Sequence, residues 1–295
     1  MPHLIYKKMP SLQRIAPAIP LLFVFLWSTG FIGAKYGLPH AEPLAFLFLR
    51  YVAVIVLMTL LAFACRAVWP KTGKQWFHLG VTGVLVHAIY LGGVFTAISK
   101  GFPAGLASLV VGLQPLLTAF VAGGLLKEKV AARQWLGLVL GLAGITLVLS
   151  GRLQSGFGLG GLGFALLALV GITAGTLYQK KYCPNFDWRT GAVAQFIPTA
   201  ALTFIGALAT ESFRVAFVPD FIFALSWLVL VLSFGAMTLL NYLIRSGTSV
   251  NVAGLFYLVP ASTTAIAWLM FGEQLSVLAL IGVLVTIIGV YLSRK

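Results

Sequence analysis

The chain has 295 residues, of which 60% are hydrophobic and only 9% charged, and it carries a formal net charge of +14. A soluble domain of this length needs far more polar surface, so the composition excludes one and leaves an all-α polytopic membrane protein. The charge does not point to nucleic acid, because the basic residues are sorted by loop rather than gathered in a patch.

About 20 residues of helix cross the hydrocarbon core. The apolar runs divide into ten such segments, near 17–36, 43–65, 76–98, 103–126, 132–150, 161–180, 190–210, 221–244, 250–271 and 275–293. Residues 1–16 form a short tail in which Lys7 and Lys8 resemble the start of a signal peptide. The apolar run behind them is too long and lacks a small-residue cleavage site before Trp27, so it reads as an uncleaved first span. The second span holds Arg50, the one basic side chain well inside a predicted helix, about 10 Å along the axis from Pro43. Intramembrane charge is expensive and marks function, so Arg50 is a candidate for attracting a substrate carboxylate; the alternative is bonding to helix-end carbonyls or a neighbouring helix.

The third span sets His87 and Tyr90 three residues apart, on one helical face. The fourth offers Gln114 beside Pro115. The fifth has only Thr146 and Ser150 for polar groups but carries Gly137, Gly141 and Gly144, which suit close helix–helix approach and, less readily, a dimer face. Span eight contributes Thr238, Asn241 and Tyr242. Span nine places Tyr257, Ala261, Thr264 and Trp268 along one stripe and contains Pro260. Span ten offers little beyond Thr286, with Gly282 and Gly289, and reads with span five as lipid-facing scaffold. An unsatisfied polar group facing lipid costs several kcal/mol. Trp27, Arg50, His87, Tyr90, Gln114, Asn241, Tyr242, Tyr257 and Trp268 are therefore expected to face inward as substrate-binding residues, or else to bond neighbouring helices. Pro115 and Pro260 are expected to kink their helices and act as hinges.

Pro115–Gly144 recurs without a gap as Pro260–Gly289. Pro115, Thr118, Ala122, Glu128, Gly137 and Gly144 fall on Pro260, Thr263, Ala267, Glu273, Gly282 and Gly289, and Arg50-Tyr51 aligns with Gln195-Phe196 at the same offset. Extended backwards, each half holds five spans, an odd number, so the second half enters from the opposite side. The halves are 17–151 and 161–295, joined by a glycine-rich connector over 152–160. Inverted halves around a central cavity permit alternating access. With the N-terminus inside, fifteen of the 20 Lys and Arg lie on the cytoplasmic side and four outside, with Arg50 in the membrane. This excess places both termini in the cytoplasm.

The six acidic residues, Glu42, Glu128, Asp187, Glu211, Asp220 and Glu273, all fall outside the predicted spans. Carboxylates are frequent members of intramembrane proton relays, so facilitated movement is expected, with proton exchange through His87 the alternative. Glu128 and Glu273 read as helix-start residues. Cys65 and Cys183 fall near cytoplasmic ends and imply no disulfide. The glycine pattern over Gly156–Gly161 lacks a βαβ context, and Lys71–Lys74 lacks the earlier glycine and the following hydroxyl of a phosphate loop. No metal-ligand spacing is present, and no cofactor is implied. The expected partners are a small-molecule substrate and the lipid bilayer, with no nucleic acid, in a monomer or weak homodimer.

Leu126-Lys127-Glu128-Lys129 followed by Gln134-Trp135-Leu136-Gly137 resembles the EamA family of the drug/metabolite transporter superfamily. Phe271-Gly272-Glu273-Gln274 with Ile281-Gly282 resembles its second copy, and Trp27-Ser28-Thr29-Gly30 and Phe48-Leu49-Arg50-Tyr51 fit its opening helices. Lys127, where the second copy keeps Gly272, is a departure. The resemblance covers about 17–293. It implies a ten-helix bacterial inner-membrane carrier and not an enzyme, most often an exporter of amino acids, including aromatic or apolar ones, or related metabolites. A proton-coupled drug or nucleotide-type antiporter is the alternative, and a membrane-embedded lipid-modifying enzyme the alternative of another class.

Overall fold

Proline and short polar residues set where the helices begin. The computed structural model describes residues 18–102, 107, 110–125, 129–150, 161–271 and 277–293. We number its helices α1 (Ile19–Gly37), α2 (Pro43–Ala64), α3 (Gly73–Ser99), α4 (Gln114–Leu125), α5 (Ala132–Leu149), α6 (Leu162–Tyr182), α7 (Trp188–Thr210), α8 (Pro219–Ser246), α9 (Ser249–Leu255), α10 (Leu258–Phe271) and α11 (Val277–Ser293). Pro43 and Pro219 open α2 and α8 in the first turn, where the missing N–H costs nothing. The Lys71–Lys74 segment is a helix start: Thr72 Oγ1 accepts from Gln75 N–H while Gln75 Oε1 accepts from Thr72 N–H. Among the described residues, α2, α3, α6, α7 and α8 are long and apolar enough to cross a membrane, at 21 to 28 residues. No sheet occurs among them, only an isolated antiparallel bridge between Ala41 and Val215.

The side chains are arranged for lipid. Leu60, Phe63, Val170, Ile205, Leu208, Phe223, Leu230 and Leu284 are exposed on the outside. The interior holds buried polar groups, among them Ser28, Arg50, His87, Gln114, Gln179, Gln195, Ser233 and Asn241. Water selects the opposite distribution, and only a hydrocarbon solvent makes this one stable.

The helix bounds repeat at the 145-residue offset found in the sequence. Shifted by that amount, α2 coincides with Trp188–Thr210 and α3 with Pro219–Ser246 to within two residues; α5 shifts onto α11 and α1 onto α6 with similar agreement. Each of α3 and α8 is interrupted by a π-helical stretch, Val84–Ile89 and Leu228–Ala236, and these too correspond. Nothing in the apolar pattern of these spans marks them.

Equivalent helices also pack on each other. α5 lies antiparallel against α11 through reciprocal glycine contacts. A Cβ on Gly137 would sit 2.6 Å from Gly289 O, and one on Gly144 would sit 2.7 Å from Gly282 O. These glycines thus meet a helix of the same chain, in the close helix–helix approach expected of them. The scaffold expectation for this pair agrees with its exposed outer faces, Leu136, Val139, Leu284 and Ile288. α2 crosses α7 in the same antiparallel sense, and there Tyr51 meets Phe196, its own counterpart, at 5.3 Å between ring centroids.

The ends of that crossing are tied. Glu211, just past α7, accepts from Leu44 N–H and Ala45 N–H at 2.8 and 2.9 Å, capping the start of α2. Glu42 accepts from Arg214 N–H at 2.8 Å. This N–H holds the Glu42 carboxyl below the usual carboxylate range, with burial a smaller opposing influence. A depressed carboxylate stabilises the fold above its unfolded value, and that contribution fades as pH falls through the lowered one. At the other end Thr190 Oγ1 donates to Val68 O at 2.8 Å. Glu211→Ala removes a cap worth about 1 kcal/mol, and a drop of a few degrees in the melting temperature of purified protein checks it; no change would mean that water replaces the carboxylate.

Two expectations for spans four and nine need adjustment. The helix breaks just ahead of each proline: residues 112–113 precede Pro115, and Phe256–Tyr257 separate α9 from α10 before Pro260. Proline has no N–H for the preceding turn, and Phe256 O is taken instead by Val259 N–H at 3.2 Å. Tyr257, the first residue of the stripe expected from Tyr257 to Trp268, lies in this turn, and the side chains of Thr264 and Trp268 are outside the described residues. A third mid-helix proline, Pro198 in α7, was not singled out in the sequence, and that helix runs through it unbroken.

Candidate functional site

A cavity opens where α1, α2, α3 and α8 converge. Its lining includes Trp27, Arg50, His87, Tyr90, Phe95, Leu228, Leu232 and Met237. Four residues singled out in the sequence, Trp27, Arg50, His87 and Tyr90, thus share one site. In this conformation the cavity is narrow. About 30 Å³ is open to the centres of water molecules, room for two or so.

Arg50 is only 2% exposed. Its Nε and Nη2 donate to Ser233 Oγ at 3.2 and 3.1 Å, while Nη1 is buried without a hydrogen-bond partner. No ion pair to Arg50 occurs among the described residues. Ser233 sits in the π-helical stretch of α8, and its hydroxyl donates to Leu228 O at 3.1 Å, five residues back. Ser233 was not found from sequence, since a lone serine in an apolar run carries no signal.

His87 lies in the matching π-helical stretch of α3. Phe196 stacks on its ring at 4.2 Å between centroids, and neither ring nitrogen has a hydrogen-bond partner. The carbonyl of His87 accepts from Tyr51 O–H at 3.0 Å, so Tyr51, next to Arg50, fixes the turn that presents the imidazole. Gln195, the counterpart of Arg50, is likewise buried with an unbonded Nε2. Trp27 and Tyr90 are nearly parallel, 6.4 Å apart, and Phe23 and Phe256 close over Trp27. A polar corner at Arg50 and His87 therefore faces an aromatic and aliphatic wall.

The other residues named from sequence lie elsewhere. Gln114 lines a second, smaller cleft with Thr176, Lys180, Ile244, Ser249, Val252 and Ala253, its Oε1 unbonded. Asn241 accepts from Gln179 Nε2 at 2.7 Å, a helix-to-helix bond between α8 and α6. Tyr242 packs at the edge of the main core. Tyr257 is fully buried in a separate cluster and fills the notch left by Gly141 on α5. Trp268 lies on α10, but its side chain is outside the described residues, as are Glu128, Glu273 and the 152–160 connector. No group of three metal-ligating side chains occurs among the described residues.

The model of the EamA-like transporter family matches this chain twice, over residues 16–150 and 159–294. The chain belongs to that family. Its two matches correspond to the two sets of helices related by the 145-residue offset. An uncharacterized transporter of Archaeoglobus fulgidus is 27% identical over 276 residues, covering 92% of this chain and 94% of its own. A protein of Escherichia coli K12 named a probable amino-acid metabolite efflux pump is 26% identical over 295 residues, covering 96% and 95%. An uncharacterized inner membrane transporter of the same organism is 25% identical over 270 residues, covering 90% and 86%. A solved crystal structure superimposes with a TM-score of 0.77 at 19% identity, covering 94% of this chain and 96% of its own, which fixes the shared fold. This EamA-family chain is thus a membrane transporter.

Proposed function

We propose that this chain is an inner-membrane carrier that exports amino acids or related carboxylated metabolites by alternating access. Its ten spans form two five-helix halves of opposite orientation, with both termini cytoplasmic. The doubled family match, the paired π-helical stretches and the antiparallel packing of α2 on α7 and α5 on α11 support the inverted arrangement. The name borne by the E. coli relative supports the substrate class.

The observation that carries the reading is the buried Arg50 guanidinium, with a spare N–H donor in a cavity otherwise walled by Trp27, Tyr90, Phe95, Leu228 and Leu232. A buried cation without a counter-ion is costly, and a substrate carboxylate supplies the missing charge. Reconstitution into liposomes with labelled amino acids and related acids tests it. Saturable uptake accelerated by unlabelled solute on the far side is expected; linear, non-competable flux would exclude a carrier.

Transport is facilitated rather than proton-driven in this reading, because no carboxylate lines the cavity among the described residues. Collapsing a pH gradient across the liposomes is expected to leave solute flux unchanged. The second reading, proton exchange, rests on His87, whose two ring nitrogens are unbonded at the cavity wall. A several-fold fall in flux on collapse, absent in His87→Gln, would favour it.

A further inference from the structure

Among the described residues that line the cavity, Arg50 alone carries a fixed charge. Arg50 supplies a cation with a free Nη1, whereas the Trp27 N–H is directed at the Tyr90 hydroxyl. For a group that donates, the described lining offers the His87 ring and the Tyr90 hydroxyl, neither of them a carboxylate. Two carbonyls of the π-helical stretches are already engaged: His87 O accepts from Tyr51 and Leu228 O from Ser233.

The described carboxylates are engaged or distant. Glu211 caps α2, Glu42 holds Arg214, Asp187 pairs with Arg189 at 2.7 Å, and Asp220 is exposed in the first turn of α8. An α-ammonium entering this cavity would therefore meet Arg50 with no negative charge to offset it. A carboxylate alone meets complementary chemistry, and its apolar body meets the aromatic wall.

Resting on the carrier reading, we infer that the preferred solute is a monoanionic carboxylate with an aromatic or branched apolar body and no ammonium group. Acids of the 2-oxo or arylalkanoic class fit; the zwitterionic amino acids of the same side chain fit less well. Arg50 is the specificity-determining residue, acting on the carboxylate directly.

The test uses the full chain in liposomes and four solutes of equal aromatic size: phenylpyruvate, 3-phenylpropionate, phenylalanine and phenethylamine. Half-saturation for the two acids is expected at least about tenfold below that for phenylalanine, equivalent to about 1.4 kcal/mol, and phenethylamine is expected not to compete. Arg50→Gln is expected to erase the difference between acid and amino acid. Phenylalanine saturating at the same or lower concentration than phenylpyruvate overturns the inference and leaves the carrier reading standing. A preference that persists in Arg50→Gln removes Arg50 from it. Absence of saturable counterflow for every carboxylate overturns the carrier reading, and the inference with it.

Discussion

Gly144→Leu is expected to be among the most damaging single substitutions outside the cavity. A Cβ at that position would lie 2.5 Å from Thr286 N and 2.7 Å from Gly282 O, both backbone atoms of α11. A flexible side chain yields to such a clash by changing rotamer, whereas a helix backbone yields only by moving as a unit. The α5–α11 seam must open along its length, and the contacts at Gly137 and Gly289 go with it. Overpacking of an ordinary core costs about 1–3 kcal/mol, and a backbone clash belongs at or above the top of that range. The melting temperature of the detergent-purified protein should fall by about 10 °C, or the protein should fail to accumulate. Gly163→Leu on α6 is the control, because a Cβ there meets nothing within 4 Å. Equal melting temperatures for the two variants would mean that the seam is looser than these contacts require.

Arg50→Gln is expected to separate activity from stability. Hydrogen bonds to charged groups contribute about 1.5–3 kcal/mol. Losing that contact to a carboxylate should lower the transport efficiency for acidic solutes about 10- to 150-fold. Stability should not follow. The guanidinium is buried, has no ionic partner among the described residues, and keeps an unbonded nitrogen, so removing its charge relieves a desolvation cost. The melting temperature is expected to hold or rise while transport collapses. A residue that served only to hold α2 against α8 through Ser233 would behave the other way, with melting falling and the kinetics of the surviving protein unchanged. Normal transport of every anionic solute by Arg50→Gln would end the functional assignment.

The sites of these two predictions differ in how visible they were in the chain. Gly137, Gly141, Gly144, Gly282 and Gly289 stood out because glycine repeats at helical spacing on otherwise apolar spans. That spacing promises a close neighbour without naming it, and it does not say that the neighbour is α11. Arg50, His87 and Tyr90 stood out because polar groups are rare in such a composition, and Trp27 because its ring and polar N–H combine on one apolar span. Ser233, Leu228 and Phe95 had no such contrast and were invisible. Tyr257, Asn241 and Gln114 show the reverse case: each was a polar or amphipathic group that had to turn inward, and inward led to a glycine notch, a Gln179 partner and a second cleft.

Hydropathy, the 145-residue repeat and the motif around Glu128 determined that this is a helical membrane chain of duplicated design, and which family it resembles. Those properties are written locally, residue by residue, because hydrocarbon demands internally bonded helices of fixed length wherever apolar runs occur. Which inward polar groups share a cavity was decided only by tertiary structure. That outcome depends on helix rotation and crossing, on the breaks ahead of Pro115 and Pro260, and on the two π-helical stretches, each of which re-aims the side chains on its face. A shift of one residue in such a turn swings a side chain by about 100°, and the packing of distant helices, rather than the local sequence, selects it.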